Sequence, residues 1–347
     1  MKFLISAAGT GGHIFPALRF CLSCMEQSHQ VIWVGTKQGM ESQRVPEHNI
    51  PFLTVPMSGF RGKSVLKKIA ALLGLVSSTI KSVIYIVHNQ INCVVCFGGY
   101  ISLPVGIAAI ICRKKLILHE QNAVLGSSNK LLLKFSKIVF LGMPLVTPHH
   151  QKMKVVGNPI EQFLQNDVVP SHFDEGILRI YVTGGSLGSE FINQHVPFAL
   201  SALDIPMEIK HQAGRNKSEG IKTRYSSNLL VDISEFYNEP SANIHWSDFV
   251  ICRAGALTLA EVSSLKRGCL MIPLPSAIDN HQLENARQVE KLGLGVIYEE
   301  SEPVSELQEK LKNIINQKKY LTWQTSAPQT DHFQASERML SSILQLK

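Results

Sequence analysis

Long uninterrupted apolar runs are missing from this chain of 347 residues. Its first eight residues, Met1 to Ala8, carry one positive charge and a short apolar stretch, but glycines follow at once, whereas a secretory core needs more apolar residues and a cleavage site. The stretch reads as a buried β-strand. No later segment holds the roughly 18 uninterrupted apolar residues of a membrane-spanning helix, so the expectation is a cytoplasmic or peripheral protein. Cysteine is also scarce. Seven residues, an odd number, make no disulfide framework for a chain this long and suit a reducing compartment. Cys21/Cys24 and Cys93/Cys96 have zinc-like spacing, yet the second pair lies in a strand-like run where residues three apart point to opposite faces. Buried free thiols are expected there, not a metal. Aromatic residues make up only 7% and charged residues 18%, against 45% hydrophobic, which excludes the polar, high-charge signature of disorder.

A formal charge of +7 invites nucleic acid, anionic lipid or a phosphorylated substrate. The densest basic stretch, 61–68, leads into an apolar helix and has no interleaved aromatics on which bases could stack, so nucleic acid is not an expected partner. Arg61, Lys63, Lys67 and Lys68 with Leu72 and Leu75 form a basic amphipathic segment. It either lies in lipid headgroups or packs on the core with solvated lysines.

Length predicts two domains of ordinary size. Short β-type runs at 3–7, 31–34, 52–55, 93–97, 116–118 and 138–141 alternate with helical stretches, the pattern of a parallel sheet flanked by helices. A second series starts at 179–182 and continues through 208–211, 231–233, 249–251 and 269–272. The expected fold is α/β with two Rossmann-like domains, 1–158 and 159–329, joined near the turn residues Gly157-Asn158-Pro159.

Chemistry concentrates after the strands. Gly9-Thr10-Gly11-Gly12-His13 enters a helix after the first strand and lets backbone approach a ligand, but the third glycine of a dinucleotide fingerprint is absent, which argues against a nicotinamide oxidoreductase. A plain turn would explain the glycines but not His13, an imidazole suited to proton abstraction. The second domain repeats the device in Gly184-Gly185-Ser186-Leu187-Gly188, where a helix N-terminus is expected to follow directly and make a phosphate seat, with the Ser186 hydroxyl as an added donor. Gly98-Gly99-Tyr100 either binds an acceptor or turns the chain. His119-Glu120-Gln121-Asn122 crowds four polar side chains beyond a buried strand. Arg253 through Glu261 sets small residues before a helix, on which Glu261 either binds a ribose or stands exposed; Asp279-Asn280-His281-Gln282 suits sugar hydroxyls.

In this order, with Gly157-Asn158-Pro159 and Arg253-Ala254-Gly255-Ala256-Leu257-Thr258, these motifs resemble those of glycosyltransferase family 28, the bacterial peptidoglycan GlcNAc transferases, nearly end to end. The resemblance implies a GT-B fold with a cleft between its domains and a C-terminal helix, about 330–347, crossing back to the first. It implies inverting transfer of GlcNAc from UDP-GlcNAc to the C4 hydroxyl of MurNAc in lipid I, giving lipid II, with no cofactor or required metal. The enzyme would work peripherally at the cytoplasmic face of the inner membrane. Carried over by position, His13 is the general base. The donor would meet Thr10, Gly11, Gly12, Asn122, Ser186 and Tyr237. It would also meet Arg253 and the turn Ala256, Leu257, Thr258, Leu259, Ala260 and Glu261, with His281 and Gln282 on the GlcNAc hydroxyls. Gly98, Gly99, Tyr100, His119 and Glu120 would serve the acceptor. Three positions depart from the family pattern: Glu161 stands where Arg is usual, Leu187 where Gln is usual, and Tyr237 where an aliphatic residue often faces uracil. The rival readings are a related transferase acting on another lipid and a non-catalytic sugar-nucleotide binder. The presence of His13 and Glu261 weighs against the second.

Overall fold

The computed structural model describes residues 1–57, 65–147, 150–162, 176–325 and 330–346, and only the backbone of 65–70. Contacts divide the chain into two units, Met1–Glu161 with Asp331–Lys347, and Gln162–Thr330. The first unit holds strands β1 (Lys2–Ser6), β2 (Gln30–Gly35), β3 (Phe52–Thr54), β4 (Cys93–Cys96), β5 (Lys115–Glu120), β6 (Ile138–Leu141) and β7 (Met153–Val155). Its helices are α1 (Gly11–Glu26), α2 (Glu41–Arg44), α3 (Val65–His88), α4 (Ser102–Ile111) and α5 (Ser127–Leu132). The second unit holds β8 (Leu178–Thr183), β9 (Met207–Gln212), β10 (Leu230–Ser234), β11 (Phe249–Cys252), β12 (Gly268–Met271) and β13 (Gly295–Ile297). Its helices are α6 (Glu190–Ser201), α7 (Pro240–Trp246), α8 (Ala256–Ser264), α9 (His281–Lys291), α10 (Val304–Asn316) and α11 (Lys319–Thr325), and α12 (Ala335–Gln345) follows in the first unit.

Both sheets are parallel. The first runs β3-β2-β1-β4-β5-β6-β7 and the second β10-β9-β8-β11-β12-β13, so each reverses direction beside its own first strand. In such sheets ligands collect at the carboxyl ends of the strands flanking the reversal. The apolar runs arise because both faces of each sheet are covered. Alternate residues of β1 serve opposite layers: Phe3 and Ile5 pack with Phe20 of α1 and Met339, Leu340 and Ile343 of α12, while Leu4 packs with Ile86 of α3 and Val105 of α4. In the second unit Ile180, Val182, Phe249 and Ile251 pack under α6 and α10, and Trp323 of α11 fills the space over Gly268.

Eleven strands coincide with the apolar runs read from sequence; β7 and β13 do not. Each is a three-residue edge strand with one buried residue, so little periodicity marks it. Helix α3 also differs from the reading. Its segment Ala71–His88 is long and apolar enough to cross a membrane, by length and composition, and only 22% of it is buried. Ser77, Ser78, Thr79, Lys81 and Ser82 interrupt the run in sequence. The helix absorbs part of that polarity, since Thr79 donates to Leu75 O (2.8 Å) and Ser82 to Ser78 O (2.7 Å).

Candidate active site

In the first unit the loops after β1 and β4 interlock at the reversal point. Gly9, Gly98 and Gly99 all have positive φ, and a Cβ on Gly99 would stand 2.3 Å from Ala8 O. Thr10 caps α1 with extended backbone and without a side-chain bond; its carbonyl accepts from His13 N at 3.1 Å. The His13 ring lies against Gly98, where a Cβ would come within 2.6 Å of its Cδ2 and 3.0 Å of its Nε2. Tyr100 reaches the same loop, its Cε1 3.9 Å from the place of a Gly9 Cβ. Thr10, Gly11, Gly12, His13, Gly98, Gly99 and Tyr100 therefore share one end of one sheet.

After β5 the four polar residues separate into layers. His119 is fully buried, and its Nε2 stands 3.1 Å from Gly157 O. A carbonyl only accepts, so the proton sits on Nε2 and leaves Nδ1 as an acceptor for the Gln121 amide at 3.0 Å. Burial pushes the pKa of His119 down to about 4, keeping the ring neutral. Glu120 is 3% exposed. One of its carboxylate oxygens takes Asn122 N and Nδ2 (both 3.2 Å), the other Gly126 N (2.7 Å) and Asn129 Nδ2 (2.9 Å). His119 and Glu120 thus brace the loop from beneath and have no surface left for an acceptor; Asn122, half-buried, lies above them. Asn158 Nδ2 joins in by donating to Gln121 O at 3.1 Å, and its backbone N donates to Nδ1 of buried His332 at 2.9 Å. Gln121 and Asn158 belong to motifs legible in sequence, without a role given to either; Asn129 carries no site signal in sequence.

In the second unit the turn after β8 closes through Gly188 N to Gly185 O (3.0 Å) and places Ser186 and Leu187 on its exposed tip. Helix α6 begins later, at Glu190, and Ser189 caps it by accepting from Ile192 N. Ser186 is therefore a turn residue ahead of the helix, not part of its first turn. Gln212, at the end of β9, ties this turn down: its Nε2 donates to Thr183 Oγ1 (3.2 Å) and Gly185 O (3.1 Å). Its Oε1 accepts from Tyr181 OH (3.3 Å) and Tyr237 N (3.2 Å). Sequence reading missed Gln212; its signal is polarity at the ligand end of a buried strand. Tyr237 is half-buried and donates to Asp232 Oδ2 at 2.9 Å. Lys217 Nζ reaches Leu187 O at 2.9 Å.

Across the reversal, α8 starts after Gly255, which has no side chain to cap it, and its first turn has no acid. Ala256, Leu257 and Thr258 therefore present a helix N-terminus, with Leu259, Ala260 and Glu261 on the following turn. Arg253 turns away from solvent to pair with Glu300 at 2.5 Å and to donate to Ile272 O and Pro273 O, which fixes the loop after β12. It is a brace for that loop. Beyond it Asp279 and Asn280 have positive φ and lead into α9. His281 Nδ1 donates to Ile278 O (2.7 Å), and Gln282 Oε1 accepts from Leu274 N (3.0 Å), which leaves the Gln282 amide hydrogens for another partner.

Of the basic segment ahead of and within α3, Arg61 and Lys63 lie outside the described residues, as do the side chains of Lys67 and Lys68. Leu72 is exposed, but Leu75 packs against the core, so it does not belong to an outer face. Glu161 pairs with Arg19 of α1 at 3.4 Å.

The chain is similar to known proteins over nearly its whole length. A model of the glycosyltransferase family 28 N-terminal domain matches residues 3–141, and one of the family's C-terminal domain matches 179–339. A Neisseria gonorrhoeae (strain NCCP11945) protein named UDP-N-acetylglucosamine--N-acetylmuramyl-(pentapeptide) pyrophosphoryl-undecaprenol N-acetylglucosamine transferase is 35% identical over 331 residues, 94% of this chain and 93% of its own. A protein of the same name from Acinetobacter baumannii (strain ACICU) is 34% identical over 328 residues, 92% of this chain and 90% of its own. The crystal structure of Acinetobacter baumannii MurG covers 99% of both chains with a TM-score of 0.86 at 30% identity. A kitacinnamycin glycotransferase, with a TM-score of 0.75 at 11% identity, shares the fold alone. Two parallel Rossmann-like sheets, each with its glycine loop at the reversal point, are the two-domain GT-B architecture, and with both domain models matched in order the chain belongs to glycosyltransferase family 28.

Proposed function

We propose that the chain transfers N-acetylglucosamine from UDP-GlcNAc to the C4 hydroxyl of the MurNAc of lipid I, a polyprenyl-pyrophosphate-linked acceptor, giving lipid II and UDP. The observation that carries this reading is one device used twice: a glycine loop at each sheet's reversal point, with His13 on one and α8 beside the other. The acceptor oxygen attacks C1 of the donor sugar from the side opposite UDP. The new C–O bond forms as the C1–phosphate oxygen bond breaks, and the hydroxyl proton goes to His13. Charge developing on the departing diphosphate meets the amides at the start of α8 and the turn at Ser186, whose dipoles are fixed before the reaction begins. That charge needs no cofactor.

The remaining assignments follow position. Glu261 holds the ribose hydroxyls and Tyr237 flanks the base, while His281 and the outward amide of Gln282 read the GlcNAc hydroxyls. Asn122 with Thr10, Gly11 and Gly12 completes the donor and acceptor sites, and Gly98, Gly99 and Tyr100 line the acceptor. Helix α3 touches an anionic membrane from the cytoplasmic side. Leu72, Leu73, Val76, Ile80, Ile84 and Val87, all exposed, recur at helical spacing along it and support that contact.

The test is transfer of labelled GlcNAc to a lipid I analogue by wild type, His13→Ala and Glu261→Ala. Loss of rate in the first variant and loss mainly of donor affinity in the second are expected. Tight UDP-GlcNAc binding without transfer to lipid I would overturn the acceptor assignment.

A further inference from the structure

Gln121 belongs to none of the roles assigned above, yet its side chain is held in one orientation. It is 1% exposed. One amide hydrogen goes to Phe97 O at 2.8 Å and the other to Nδ1 of His119 at 3.0 Å. Neither partner can donate in return, because Phe97 offers a carbonyl and the His119 proton is held on Nε2 by Gly157 O. A flipped amide would set its oxygen against two acceptors, so Oε1 has one direction only. That direction leads towards Gly98. The point a Gly98 Cβ would occupy lies 3.7 Å from Gln121 Oε1 and 3.0 Å from His13 Nε2. Oε1 is buried and has no hydrogen-bond partner among the described residues. A buried amide oxygen held in that state, with the His13 ring against the same glycine, is an unused acceptor whose presence calls for an explanation.

We propose that Gln121 is a positioning residue for His13, its Oε1 accepting the Nε2–H of the imidazolium that exists once the acceptor hydroxyl has given up its proton. Whichever ring nitrogen takes that proton, the imidazolium carries N–H at Nε2. The amide oxygen favours the charged ring without being an anion itself, and it fixes the ring plane over Gly98. This rests on the reading of His13 as the base. His119 on β5 is bonded to Gln121, and the charged forms of His332, ahead of α12, and of His13, on α1, act on His119. Glu120 sends both carboxylate oxygens to the loop 122–129, away from this contact. The hydrogen bonds from Gly157 through His119 to Gln121 therefore fix the direction of the oxygen that the His13 imidazolium would use.

The experiment is a pH titration of the His13 ring by NMR of histidine-labelled full-length protein, with His13→Asn to assign the signal. It is run on wild type, Gln121→Met and Gln121→Glu beside pH profiles of kcat/KM. Removing the acceptor lowers the His13 midpoint and supplying an anion raises it, each by about one pH unit, and the acidic limb of kcat/KM moves the same way. A residue that merely supports the loop would lower activity in both variants and leave the His13 midpoint where it was, which would overturn the proposal. Opposite midpoint shifts with an unmoved kcat/KM limb would uphold the Gln121–His13 bond and remove His13 as the base. If Gln121→Met melts early, Gln121→Asn, which withdraws the oxygen by one methylene, takes its place.

Discussion

Gly98 is the floor on which His13 rests: the ring occupies the space a side chain at 98 would need, with Cδ2 2.6 Å from the missing Cβ. Gly98 also has φ +101°. Gly98→Ala should therefore displace the ring and strain the backbone together. The displacement should lower kcat by about 10²-fold, and the strain should cost about 1–3 kcal/mol of stability. Transfer assays beside thermal melts check both, and wild-type kcat in the Gly98→Ala variant would mean that the ring position is not used in catalysis.

Gln212 joins two loops through four hydrogen bonds from one amide. Gln212→Ala should loosen the turn at Gly185 and the backbone of Tyr237 at once, raising the donor KM roughly tenfold with a smaller change in kcat. Leaving Gly185 O and Thr183 Oγ1 without their donor adds about 1–3 kcal/mol of destabilisation. Gln212→Glu keeps the oxygen for Tyr237 N but loses both donors, so it should fall between wild type and Gln212→Ala. Equal KM values in all three proteins would show that donor binding does not depend on this brace.

Three histidines are buried as neutral rings: burial pulls His119, His211 and His332 down to about 4. Their unfolded pKa is near 6.5, so the unfolded chain takes up protons first as pH falls. Stability is therefore full above about pH 6.5 and is lost as pH drops towards 4, by up to about 1.4 kcal/mol per pH unit for each ring. Two of the three lie in the first unit and one in the second. Melts between pH 7 and 5 should show the first unit losing stability faster. A melting temperature that is flat over that window would mean the rings take up protons in the folded protein at the same pH as in the unfolded chain.

The exposed row on α3 gives a further expectation. Ile80→Glu with Ile84→Glu should abolish sedimentation with vesicles containing anionic lipid. Turnover of a water-soluble acceptor analogue should stay within about twofold, since surface changes away from a site leave the fold largely unaffected. Undiminished vesicle binding would assign the membrane contact to another face.

The sheets were legible because both faces of their inner strands are covered, so β1, β4, β5, β8 and β11 read as apolar runs. Strands β7 and β13 escaped because three edge residues hold no periodicity. The glycines at 9, 98 and 185 were legible as turns. That Gly98 makes room for an imidazole was not, since nothing local to residue 98 encodes a ring brought from residue 13. The polar cluster 119–122 was legible as a cluster, but its internal division was not. Burial, a property of the tertiary fold, turns His119 and Glu120 into supports. Arg253 shows the same limit: a cation beside a glycine turn suggests an anion ligand, and only the fold reveals Glu300 beside it. Leu75 and Leu72 look alike in a helical pattern, yet one faces the core and the other does not.

The return of α12 to the first unit gives synthesis an order. Met339, Leu340 and Ile343 are fully buried in the layer that also holds Phe3 and Phe20. While a ribosome is still translating the second unit, the first has all its strands but lacks the α12 residues that complete the layer over α1. The second unit has no such gap. It can complete its own core while the older half waits for residues 335–345.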